Sequence, residues 1–530
     1  MSTTVAIALD AVPPELIERW MDDGRLPRLA RLRAQGSFGR LRKEPLDPHD
    51  ASWSIFLAGA SPALTGHWTH NGLDSRTYAF KEDPAYDFRD HAPFYRNAAG
   101  RRIALFDVPL AAIEPGLPGV QVLGWGLEAN QYLRVSEPPE LMDEIVARHG
   151  PHPAYAGLGD RRIGEDGGAA VHGFRNPSLY DDAALDRLAR ELIAGARVRA
   201  DIIVDLLSRE RWDLLLAAYG ETHIAGHLLW HRGLPHPLND TAAPDPGGMP
   251  ALAELLAAID EGIGRIDDAL PPGATLVVFS VSGMRENAVD LPNTLFLPEA
   301  LHRLQFGRAT LCDGDPDSPP PAPARHYRAH WKDEVWALRT DYGEQVLASP
   351  ASLEASGDAL DWNPARWFQP RWPQMQAFAL PTYLLGTVRL NVRGREGSGV
   401  VEPRDYRRTV EELAAALAQL TDARTGRSIV REVLTPKRDP FETVTSAPPG
   451  DLTVVWRNRD PSDVVEAPGI GRIGPAPWFR SGGHSPTGFC LARGPGVPVG
   501  SRFERARVVD LSATLAAALG TSAPVGGRLW

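Results

Sequence analysis

His223 and His227 lie four residues apart, the spacing that sets two imidazoles on one face of a helix, or on a loop leading into one. Two imidazoles in register are half of a site for zinc or another transition metal. The same spacing also suits two histidines that are solvated or packed in a core. Asp10 is a second candidate. It closes the apolar run Val5-Ala-Ile-Ala-Leu9 ahead of Pro13 and Pro14, so its carboxylate stands at the C-terminal end of a buried strand. Open α/β sheets bind their ligands at that edge, although an Asp there also serves as a helix cap or turn residue.

Groups placed at strand ends require a sheet to hold them. A helical pattern at Leu16, Ile17 and Trp20 follows Asp10, and further strands are predicted at Ile103–Phe106, Leu214–Ala218, Leu276–Ser280, Leu452–Trp456 and Gly488–Ala492. Amphipathic helices are predicted at Ala183–Ser208 and Ala251–Leu270. Strands alternating with helices predict an α/β fold with a mostly parallel central sheet covered on both faces. From Leu301 to Pro449 the character changes: a Pro-rich stretch at Ser318–Pro323, tryptophans in Trp362–Trp372 and a helix at Tyr406–Leu420. This region is expected to be an α+β insertion or cap at 301–449, between core parts at 1–300 and 450–530, with the helix Val508–Leu519 packing on the core sheet.

The chain has 530 residues, 43% of them hydrophobic and 23% charged, which suits a globular protein with a large core. A net charge of -11 gives no electrostatic reason to expect a nucleic acid or an anionic membrane as partner. No apolar run reaches the length of a membrane span, Val5 follows Met1 too closely for a signal peptide, and a cytoplasmic protein is expected. Cys312 and Cys490 have no metal-ligand spacing and are expected to be reduced packing residues.

Four segments, in order along the chain, carry a resemblance. They are Ala8-Leu-Asp10 with Asp23-Gly-Arg-Leu-Pro and Gly36-Ser-Phe-Gly39; Ser52-Trp-Ser-Ile-Phe-Leu-Ala-Gly59 with Ser61-Pro62; Arg211-Trp-Asp-Leu214 through Gly226-His-Leu-Leu-Trp230; and Val277-Val-Phe-Ser-Val-Ser-Gly-Met284 with Gly482-Gly-His484, Arg493-Gly-Pro-Gly496 and Asp510-Leu-Ser-Ala-Thr514. Together they resemble the type I phosphodiesterase and nucleotide pyrophosphatase branch of the alkaline phosphatase superfamily. That family implies two divalent ions, usually zinc, flanking a Thr or Ser nucleophile. By the resemblance, Asp10 matches the first-strand Asp, His227 the His of D-x-x-x-H, and His484 the late His.

The departures from the pattern are equally specific. The nucleophile position falls on His49, the Asp of D-x-x-x-H is His223, and the Asp-His pair after the Leu276 strand is Val281-Ser282. The first ion then keeps only Asp10 and is expected to be absent, since paired cations need carboxylates to offset their repulsion. The other site gains histidines, and His49, His223, His227 and His484 are its expected ligands, with Asp10 as an added candidate. Zinc is the first expectation for this single ion, with Fe, Cu or Ni as alternatives. His49 is expected to be a ligand or a nucleophile, and Asp10 an outer-shell partner or general base. Ser52 and Ser54 are not expected to be substitute nucleophiles, because using Ser52 requires a three-residue shift that breaks the match at Trp53 and Gly59. His67, His70, His231 and His236 lie near the motifs and are expected to be mainly surface residues, and Arg480 and Arg493 to be structural.

These residues predict a metal-dependent, hydrolase-like enzyme acting on a small anionic substrate that carries phosphate, sulfate or carboxylate. Two alternatives stand beside it: an Fe- or Cu-dependent lyase or oxygen-dependent enzyme of small-molecule biosynthesis, and a catalytically inactive ligand-binding relative.

Overall fold

The computed structural model describes residues 3–44, 46–48, 51–69, 71–82, 90–98, 100–126, 134–158, 176–239, 251–327, 330–340, 347–358, 360–521 and 527–528. Its centre is a nine-stranded sheet in the order Arg502–Arg507, Ser37–Arg42, Thr487–Arg493, Thr275–Ser280, Thr4–Leu9, Leu214–Tyr219, Ile103–Phe106, Gly119–Leu123 and Val135–Glu137. Thr4–Leu9 runs parallel to both neighbours, with Leu9 opposite Tyr219 and Ala8 opposite Phe279. Thr487–Arg493 is antiparallel to both of its neighbours, as is Val135–Glu137 at the far edge to its one. The fold is therefore α/β with a mostly parallel central sheet, as the alternation of strand and helix patterns predicted.

Strands buried on both faces need apolar side chains at consecutive positions, and Thr4–Leu9 and Leu214–Tyr219 are buried throughout. The two-residue period divides the first strand between two cores: Val5, Ile7 and Leu9 join one, and Ala6 and Ala8 the other. The first core includes Ile202 from helix Asp182–Arg209 and Ile259 and Ile263 from helix Ala251–Asp268. The second includes Trp53 and Phe56 from helix Ser52–Ala58 and Leu511 and Leu515 from helix Val508–Ala518. Helices thus cover both faces. The helix predicted to run to Leu270 ends at Asp268, because Pro271 disfavours the helical conformation in the residue before it.

The strand predicted at Leu452–Trp456 forms, but outside the central sheet. It pairs antiparallel with Leu385–Leu390 and Val430–Leu434 in a separate four-stranded sheet completed by Ala377–Ala379. Helix Tyr406–Leu417 stops short of the predicted Leu420, where the chain tightens and enters a short strand at Thr421–Asp422. Among the described residues no helix is long and apolar enough to cross a membrane.

Candidate metal centre

Three adjacent parallel strands end together, and the chain leaves them carrying Asp10, the helix Glu221–Leu229, and Val281-Ser282. Because Thr487–Arg493 runs the other way, with Phe489 opposite Ser280, its N-terminal end returns to the same edge. Gly482–Ser485, just before it, pairs with Gly283–Glu286 and sets Met284 opposite His484. Sheet topology alone brings residues 10, 223, 227 and 484 to one place.

His223 Nε2 lies 3.0 Å from His227 Nε2 and 3.2 Å from His484 Nε2, and the three rings offer one nitrogen each within 4.8 Å of one another. His227 donates from Nδ1 to the Gly482 carbonyl at 2.7 Å, which leaves its Nε2 as a bare lone pair facing the cluster. A single N–H on His223 cannot point along both contacts, whereas one cation can take a lone pair from each ring. Two nitrogens bound tetrahedrally to zinc are about 3.3 Å apart, given a Zn–N bond of about 2.0–2.1 Å, so the cluster fits one ion.

Burial, and after it the positive charge of Arg480, hold His223 neutral, with its pKa pushed down to about 3. The same two causes, with His223 as a third, push His227 well below its ordinary value. Both rings are therefore uncharged at neutral pH, each with one nitrogen lone pair to offer. Asp10 stands behind the cluster. Its Oδ2 faces His223 Nδ1 at 3.7 Å, on the side of the ring away from the other histidines, and its Oδ1 accepts from Trp53 Nε1 at 3.0 Å. Thr222 Oγ1 donates to the Asp10 carbonyl at 2.8 Å, fastening the first turn of the histidine helix to the end of the first strand. Ala11, next in the chain, takes the left-handed conformation at φ 62°, a strained turn of the kind that gathers at functional sites.

The helix is held from behind by a buried ionic group. Arg199 donates to Glu221 Oε1 at 2.8 Å and to Asp107 Oδ2 at 2.8 Å, and His152 Nε2 lies 3.1 Å from Glu221 Oε1. Burial works against ionisation of Glu221, but Arg199 and His152 outweigh it and its pKa ends below the ordinary value. Glu221 is the first residue of the helix that carries His223 and His227, and a carboxylate also suits that position electrostatically.

Of the residues singled out in the sequence, His223, His227 and His484 come together and Asp10 contacts the cluster from outside it. His49 and His70 lie outside the described residues. Val281 and Ser282 are fully buried and supply neither carboxylate nor imidazole, so they do not fit a second ion. Ser52, also fully buried, accepts a hydrogen bond from Lys43 Nζ at 2.8 Å. His231 contacts Ser481 Oγ at 2.9 Å and His236 packs edge-on against Trp478, both away from the three-histidine group, and His236 is buried rather than on the surface. Sequence reasoning missed three participants: Trp53 was only an alignment landmark, the Gly482 carbonyl had no visible role, and Arg480 was assigned to structure. The nearness of Arg480 to Gly482-Gly-His484 was the one available signal.

A mostly parallel α/β sheet with three histidines gathered at its carboxyl edge defines an α/β protein with a candidate metal centre. The profile of the type I phosphodiesterase / nucleotide pyrophosphatase family matches residues 4–443, and the chain belongs to that family, a branch of the alkaline phosphatase superfamily. Among solved structures, it is similar to phosphonoacetate hydrolase from Sinorhizobium meliloti 1021 in complex with phosphonoformate, at 14% identity and TM-score 0.46, over 98% of this chain and 96% of that one. It is also similar to murine ectonucleotide pyrophosphatase / phosphodiesterase 5, at 10% identity and TM-score 0.45 over the same shares. No curated protein sequence matches the chain.

Proposed function

We propose that the chain is a metal-dependent hydrolase that acts on a small phosphate-, sulfate- or carboxylate-bearing substrate at a single ion held by His223, His227 and His484. The observation that carries this reading is the convergence of three Nε2 atoms at 3.0 and 3.2 Å. A divalent ion bound there supplies Lewis-acid polarisation of an oxyanion group and a more acidic water. The chain's own residues prepare that chemistry. Gly482 fixes the tautomer of His227, and Asp10 orients His223 and offsets the positive charge that builds on its ring. His49 is a fourth ligand or a nucleophile. The donor set favours zinc and also suits Fe, Cu or Ni, so an Fe- or Cu-dependent lyase or oxygen-dependent enzyme is the second reading.

In this reading the expected cap at 301–449 extends further along the chain, because Leu452–Trp456, Val465–Ala467 and Gly471–Ile473 pair with its strands, and the core is built from 1–300 and the later part of 450–530. The two free, buried cysteines, Cys312 and Cys490, suit a reducing compartment, and we assign the protein to the cytoplasm.

The test strips the purified protein with a chelator, reloads it with one metal at a time, and assays p-nitrophenyl phosphate, bis-p-nitrophenyl phosphate and p-nitrophenyl sulfate. Hydrolysis of at least one ester is expected to return with metal and to vanish in His484→Ala. Hydrolysis indifferent to both would contradict the reading, and no hydrolysis under any condition would favour an inactive ligand-binding relative.

A further inference from the structure

Arg480 sits two residues before Gly482 and is held by its own backbone, whose carbonyl accepts from Asn287 Nδ2 at 3.2 Å. Asn287 N also donates to the Ser481 carbonyl at 2.9 Å, and Ser481 N to the His227 carbonyl at 2.8 Å, so the Arg480 segment is tied directly to the histidine helix. Its side chain is 20% exposed, with the guanidinium 5.5 Å from the ring centre of Phe479 and 5.9 Å from that of Trp362. Trp362 is in turn stacked on Tyr383. These rings fix the guanidinium in place.

Among the described residues the guanidinium has no close carboxylate of its own. Its closest acidic neighbour among the described residues is Asp290, with Nη1 4.0 Å from Oδ2, beyond hydrogen-bond reach, and Asp290 already accepts from Asn287 Nδ2 at 2.7 Å. Nε is buried without an acceptor among the described residues. Removing even that one of the five N–H donors from water without an acceptor is costly. Among the described residues Asp290 is the carboxylate beside the guanidinium, at 4.0 Å, and an anion bound there would give the fork the acceptor that Nε lacks.

We infer that Arg480 binds a second oxyanion group of the substrate, so that the preferred substrates carry two anionic groups, one for the histidine centre and one for the guanidinium fork. This inference rests on the metal-centre reading above. Arg rather than Lys suits the role, because a planar fork takes a carboxylate or phosphate through two parallel hydrogen bonds.

The experiment measures binding by calorimetry to the metal-loaded full chain, with methylphosphonate as a probe of one anionic group and phosphonoacetate as a probe of two. Metal content is measured on each sample. Phosphonoacetate is expected to bind the native protein at least about tenfold more tightly, the worth of one charge-assisted hydrogen bond or more. Arg480→Met is expected to abolish that preference, read as the ratio of the two affinities in samples of equal metal content. Arg480→Lys, which keeps the charge without the fork, is expected to retain part of it, and serves as the deciding variant if Arg480→Met does not fold. No preference in the native protein, or a preference untouched by whichever variant folds, overturns the assignment of Arg480 even with metal bound. A protein without metal whose phosphonoacetate binding still depends on Arg480 would instead remove the metal reading and leave the anion site standing.

Discussion

His227 donates from Nδ1 to the carbonyl oxygen of Gly482 at 2.7 Å, and this bond joins the helix that carries two histidines of the cluster to the strand that carries the third. The approach demands a glycine: a Cβ at position 482 would lie 1.9 Å from the Gly226 carbonyl oxygen. Backbone on both sides leaves nothing flexible to yield. Gly482→Ala is therefore expected to push the strand from the helix and lower metal affinity by about 10–100-fold, the range seen when groups supporting metal ligands are lost. Competition with a chromophoric chelator measures this, and native affinity in the variant would refute it.

Asp10 faces the outer nitrogen of His223 and is itself held by Trp53. Asp10→Asn removes the charge and keeps the shape. Metal affinity should fall about 10–100-fold with the fold intact by circular dichroism, and Trp53→Phe should move it a smaller distance the same way. If Asp10→Asn instead bound metal as the native chain does, the carboxylate would be a turn residue only.

Arg199 is fully buried between Glu221 and Asp107, with its guanidinium over the rings of Phe106, Trp125 and Tyr219. Replacing it with Met leaves two buried carboxylates without their cation, and removing one partner of a buried ion pair costs about 3–5 kcal/mol. Arg199→Met is expected to unfold at clearly lower urea and to bind metal more weakly, since Glu221 begins the histidine helix. An unchanged urea midpoint would show that the group contributes little.

Burial, with His231 adding to it, pushes the pKa of His236 down to about 3, against about 6.5 in an unfolded chain. As pH falls from 6.5 towards 3, the unfolded chain takes up a proton that the folded chain refuses, so stability is full above this window and is lost within it. Glu299 acts in the opposite sense: burial raises its pKa to about 7, and its stabilisation declines as pH rises through that value. A comparison of His236→Gln with the native protein isolates the histidine. The variant's stability should change less between pH 7 and pH 5, by about 2 kcal/mol. Parallel pH profiles would mean that the ring titrates normally in the folded state.

Much of this was legible in the sequence, because it depends on local pattern. The apolar run into Asp10 marked a buried strand, and the four-residue spacing of His223 and His227 placed two imidazoles together. The order of motifs brought His484 to the same site. What the sequence could not show was set by partners far away in the chain. The Gly482 carbonyl is 255 residues from His227, and the salt bridge from Arg199 to Asp107 spans 92. Neither leaves a periodic trace. Leu452–Trp456 illustrates the same limit, since its pattern announces a strand without saying which sheet it joins. Arg480 leaves no sequence trace for a related reason, as its buried Nε becomes visible only once Asp290, Phe479 and Trp362 are placed around it.

The central claim is a single metal ion held by histidines, and elemental analysis of the purified, untagged protein tests it most directly, with His223→Ala/His227→Ala measured beside it. One equivalent of a transition metal, absent from the double variant, is the predicted result. Two equivalents, or none, would contradict it.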